Sequence, residues 1–74
     1  MELRIREILA GVLEMGIDEI AGDSSNETIV QWDSLKHINL IIALEQEFGV
    51  DFDEDEIMQM VSFQEIQNAI ERKH

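Results

Sequence analysis

Two side chains in QWDSLKHINL could do chemistry together: Ser34 and His37, three residues apart and so neighbours on a helix. A serine nucleophile needs the imidazole within hydrogen-bond reach, a third group to orient it, and donors for an oxyanion. The second histidine, His74, closes the chain, and 74 residues leave little room for a substrate pocket. No catalytic residue is expected. His37 reads instead as a half-buried helix residue beside Ile41.

The acidic run DFDEDE is the other candidate. Asp51, Asp53 and Asp55 fall on the first, third and fifth positions of a calcium-binding loop. The sixth position requires Gly for its sharp turn and holds Glu56, and the twelfth requires Glu and holds Ser62. Loose association with divalent ions is compatible with this cluster, but no built metal site is expected. The chain has no Cys, which removes disulfides, thiolate zinc sites and a cysteine nucleophile.

Ser34 remains. With Asp33 as N-cap, it takes the first helical position, facing solvent among backbone N–H groups that have no intrahelical partner. The helix dipole favours a negative group there by about 0.3–1 kcal/mol, so a phosphate on Ser34 would be well placed. On capping physics alone, an auxiliary cap and nothing more is the better account of this serine.

The elements that must hold this position are helical throughout, since apolar residues recur at helical spacing and there is no Pro. Ile5, Ile8, Leu9, Val12 and Met15 form one stripe and predict a first helix over residues 2 to 15, with Gly16 as its stop. Residues 17 to 33 read as a loop pinned to the core by Ile17, Ile20 and Ile29. A connection of that length implies function or a short helical turn. The second helix runs from its Asp33 cap to Phe48, with Gly49 as the break. Asp53 and Glu56 form a capping box for a short third helix holding Ile57, Met60 and Val61. Ser62 and Glu65 form another, opening a last helix with the stripe Phe63, Ile66, Ala69 and Ile70. Arg72 and Lys73 complement the dipole at its C-terminal end. The expectation is a small all-α four-helix bundle, one domain over residues 1–74.

The second helix carries more apolar surface than one core-facing stripe needs. Leu40, Ile41, Leu44 and Phe48 share one face, and Leu35, Ile38 and Ile42 line a second, flanked by Glu45. Either the helix is buried nearly all round, or the second face is a docking patch.

Seventeen acids against five Lys and Arg give a formal net charge of −12. Binding to nucleic acid or to an anionic membrane needs the opposite sign, so neither is expected. Basic partners are favoured, through a field that salt weakens. No apolar run reaches membrane-spanning length, and the acids of MELRIREILAG do not suit a signal peptide. A monomeric cytoplasmic protein is expected. The initial Met1 and short tail suggest a free-standing protein.

The segment WDSLKHINLIIALEQEFGVDF, Trp32 to Phe52, resembles the acyl carrier protein family, which includes peptidyl and D-alanyl carriers. The likeness rests on the D-S-L triplet, the L-x-x-A-L-E-x-E-F run and the acids that follow. Length, acidity, missing Cys and helix order extend it over essentially the whole chain. The resemblance implies that Ser34 accepts a phosphopantetheine arm from coenzyme A. A separate transferase, which alone requires Mg2+, would perform that step. The arm ends in a thiol that carries acyl or aminoacyl groups as thioesters between loading and processing enzymes. It would supply the thiol that a Cys-free chain lacks. The chain would then be a carrier and a transferase substrate, not an enzyme. The resemblance also assigns Asp33, Leu35, Lys36, Ile38, Asn39, Ile42 and Glu45 to partner docking.

Three positions depart from the fatty-acid carriers. Lys36 stands where many have an acid, Asn39 replaces a common glutamate, and Trp32 replaces a small residue. These point to a discrete carrier dedicated to one biosynthetic pathway, although fatty-acid or lipid synthesis stays open. Lys36 is expected to oppose partners with basic docking surfaces. The alternative is an unmodified acidic interaction module that keeps the carrier fold.

Overall fold

The computed structural model describes residues 2–73. Among them are four α-helices and no strand: α1 (Glu2–Leu13), α2 (Ser34–Phe48), α3 (Glu54–Gln59) and α4 (Phe63–Lys73). The helix α1 packs against both α2 and α4. Ile5, Leu9 and Leu13 of α1 meet Leu40, Ile41 and Leu44 of α2 and Phe63, Ile66 and Ile70 of α4 in one buried cluster. Phe48, Ile8, Val12 and Met15 are half-buried against it.

The caps follow the sequence closely. Asp33 accepts a hydrogen bond from the Lys36 N–H at 2.9 Å and starts α2. Gly49 ends it at φ 64°, the left-handed conformation in which a residue without Cβ carries no steric penalty. Asp53 and Glu56 close a reciprocal box at α3, with bonds of 2.8 and 3.0 Å. At the head of α4 half of the expected box is present: Ser62 Oγ accepts from the Glu65 N–H at 3.1 Å.

Four details differ from expectation. The first helix stops at Leu13, not Met15, because Glu14 adopts φ 58° and the Met15 N–H reaches back to the Ala10 carbonyl at 3.0 Å. Gly16 instead precedes a single 3-10 turn over Ile17–Glu19. Ile17 does not pin the loop: it is exposed, while Ile20 and Ile29 are buried. Met60 and Val61 lie beyond the end of α3, Met60 in the core and Val61 half-buried.

The long connection between α1 and α2 is held by backbone hydrogen bonds. The Asn26 N–H donates to the Val61 carbonyl and the Phe63 N–H to the Ser24 carbonyl, both at 2.9 Å. Ser25 and Ser62 form an isolated antiparallel bridge between these two bonds. The loop is thus clamped to the α3–α4 junction, and its far end delivers Trp32 and Asp33 to the head of α2.

Candidate functional site

Ser34 is exposed at the first position of α2, one residue after the Asp33 cap. Beside it opens a cleft of about 340 Å³ lined by Asn26, Trp32, Asp33, His37 and Val61. The cleft exists because the clamped loop and the α3–α4 junction stand next to the first turn of α2. An extended polar group carried on the Ser34 oxygen has space there and a helix N-terminus to receive its charge.

His37 does not form a catalytic pair with Ser34. Its Nδ1 accepts a hydrogen bond from the Trp32 Nε1–H at 3.0 Å, and its Nε2 lies 2.8 Å from the Ile57 carbonyl. Since the indole N–H is only a donor and the carbonyl only an acceptor, this pattern assigns the ring proton to Nε2. The imidazole therefore bridges the loop before α2 to the C-terminal end of α3, where the Ile57 carbonyl also accepts the Met60 N–H at 3.3 Å. The two rings also stack, with centroids 6.2 Å apart. Sequence reasoning placed His37 as half-buried but missed both bonds, and it did not place Trp32 in the core, where it is 4% exposed.

Along the outer face of α2, Leu35, Ile38 and Ile42 are 68%, 55% and 48% exposed. The second apolar stripe is a surface feature, while Leu40, Ile41 and Leu44 fill the core. Asp33 and Asn39 are exposed as well. Two charged residues assigned to this face have other engagements. Glu45 is half-buried, and its Oε2 accepts from the Phe52 N–H at 2.9 Å, holding the turn after α2. Lys36 Nζ lies 2.6 Å from Glu14 Oε1, so its charge is paired within the chain. That neighbouring acid offsets part of the charge by which Lys36 was set against basic partners.

The acids of DFDEDE also have internal work. Glu56, beyond its part in the capping box, lies 3.0 Å from Lys73 Nζ. The Asp53 N–H and Lys73 together hold the Glu56 carboxyl below its usual range. Lys73 also stands over the Phe52 ring, 5.8 Å from its centroid.

A profile of the family described as phosphopantetheine attachment site matches residues 3–70. The chain belongs to the acyl carrier protein family. Among its relatives, the acyl carrier protein of Petrotoga mobilis is 29% identical over 70 residues, covering 95% of this chain and 82% of the relative. Acyl carrier protein 3 of Ralstonia nicotianae is 31% identical over 68 residues, covering 92% and 78%. Polyketide-8 synthase acyl carrier protein 2 of Streptomyces avermitilis is 31% identical over 61 residues, covering 82% and 70%. Members of this family are carriers, not enzymes, and their cofactor is a covalently attached phosphopantetheine. They work with biosynthetic and modifying enzymes. The exposed hydroxyl, the helix N-terminus and the adjoining cleft fit that group.

Proposed function

We propose that Ser34 is the attachment residue and that the chain is a discrete carrier, moving acyl thioesters between the enzymes of a dedicated pathway. The observation that carries this reading is the placement of Ser34: exposed, at the N-terminus of α2 and beside the cleft. In the loading step the Ser34 oxygen forms a bond to phosphorus, and the phosphoanhydride bond of coenzyme A breaks with loss of 3′,5′-ADP. The hydroxyl proton passes to a base on the transferase, whose Mg2+ stabilises the leaving phosphate. This chain contributes the nucleophilic oxygen, the N-terminal dipole of α2 and an unobstructed approach.

Leu35, Ile38 and Ile42, with Asn39 beside them, are the apolar patch on which partners dock. The net charge of −12 draws basic partner surfaces to it and disfavours nucleic acid and anionic membranes. Among the described residues no helix is long and apolar enough to cross a membrane. An acyl cargo is favoured over an aminoacyl one by the names of the relatives, one of which is a polyketide synthase carrier. A monomer in the cytoplasm completes the proposal.

The test is intact mass after incubation with a broad-specificity phosphopantetheinyl transferase, coenzyme A and Mg2+. One arm should be added to the wild type and none to Ser34→Ala. An unchanged mass across several transferases would replace the carrier with the unmodified interaction module.

A further inference from the structure

Glu14 is a non-glycine residue at φ 58°, where a Cβ meets the following backbone and glycine is the favoured occupant. It ends α1 at the position that glycine takes in many helices. The Met15 N–H to Ala10 carbonyl bond fixes this conformation, which leaves open what the Glu14 side chain does. The Glu14 carboxylate reaches Lys36, 22 residues along the chain, at 2.6 Å. Lys36 shares the first turn of α2 with Ser34, on another side of the helix, so the charge of the pair falls within a Debye length of the attachment residue.

A basic partner surface is what a chain of net charge −12 attracts. Lys36 alone would repel that surface beside the serine that must be reached. With Glu14 in contact, the two charges cancel. Cancellation does not require an unbroken ion pair, because Glu14 stays next to Lys36 even when the contact opens. The Glu14 carboxyl is held below its usual range chiefly by its hydrogen bond from Lys36.

We infer that Glu14 is a specificity-determining residue of the docking surface, neutralising Lys36 so that a basic partner can approach Ser34. The inference rests on the carrier reading above. It assigns a role to a residue outside α2 and outside the apolar patch. Electrostatic complementarity of this kind acts on association rate and fades with salt.

The experiment compares transferase loading of four proteins at low and high salt: wild type, Glu14→Gln, Lys36→Gln and the double variant. Glu14→Gln should load about two- to fivefold more slowly at low salt, the size expected for one uncompensated surface charge. The deficit should shrink at high salt. Lys36→Gln should load at least as fast as wild type, and adding it to Glu14→Gln should restore the rate. A further variant, Glu14→Gly, relieves the backbone and should raise Tm, yet load as slowly as Glu14→Gln. A more stable protein that loads more slowly separates charge from folding. If the wild type loads and Glu14→Gln loads equally at low salt, or if its deficit persists undiminished at high salt, this inference is overturned alone. If no transferase loads the wild type, the carrier reading falls and takes the inference with it.

Discussion

The Trp32 indole N–H donates to Nδ1 of His37 across 3.0 Å, joining the residues on either side of the Asp33–Ser34 pair. Through Nε2 the same ring reaches the Ile57 carbonyl of α3 at 2.8 Å. The head of α2 is therefore fastened to the loop before it and to the helix across from it by one side chain.

Replacing that side chain leaves a buried donor without a partner. His37→Phe should cost about 1–3 kcal/mol in urea unfolding, the desolvation penalty of the stranded indole N–H. The emission of Trp32, the sole tryptophan, should shift in the folded variant. Unchanged stability with unchanged emission would mean that the bond adds nothing.

The two faces of α2 should respond oppositely to truncation. Ile41→Ala, in the core, should lose about 2–5 kcal/mol. Ile42→Ala, on the exposed stripe, should stay within about 1 kcal/mol of wild type while weakening transferase binding. A large stability loss for Ile42→Ala would make the outer stripe internal.

The acids around α3 should make stability depend on salt. Asp51, Asp53, Glu54 and Asp55 are exposed like charges, and among the described residues Glu56 is the one of this run paired with a cation, Lys73. Moderate salt or millimolar Mg2+ should raise Tm by screening the repulsion. A Tm that stays level or falls near neutral pH would show that the ion pairs lost to screening outweigh it.

Glu56 should leave a signature in acid. Its folded carboxyl lies below the ordinary value of 4.5, chiefly because it accepts the Asp53 N–H, with Lys73 adding to the effect. A depressed folded value stabilises above the unfolded pKa and is lost as pH falls through the folded one. The stability gap between wild type and Glu56→Gln should thus be constant above the ordinary carboxylate range and close below it. Denaturant unfolding across that range measures it, and a gap insensitive to pH would dismiss the charge as its source.

The parts of this fold legible in the sequence are those set by short-range chemistry. The Asp33 cap, the Gly49 stop and the Asp53–Glu56 box each involve residues at most a few positions apart, whose types specify the backbone directly. The exposed serine at the head of α2 follows from the same rules. The end of α1 falls two residues before the expected position because Gly is the usual left-handed residue and Gly16 suggests the stop, whereas Glu14 takes that conformation here. Lys36 with Glu14, Glu45 with the Phe52 N–H, and His37 with Ile57 all join separate elements. Such pairs depend on how helices are arranged in space. Trp32 and His37, flanking the Asp33 cap, were the one available hint of a bridge across the site.

The clamp between the α1–α2 loop and the α3–α4 junction also imposes an order on biosynthesis. Asn26 and Ser24 wait for Val61 and Phe63, and His37 waits for Ile57. While a ribosome is still making the middle of the chain, α2 has its own cap but the loop beside Ser34 has nothing to close against. The surroundings of Ser34 are assembled from segments far apart in the chain, so they are completed only after Val61 and Phe63 have been made. A chain cut before Val61 would carry the serine without its cleft.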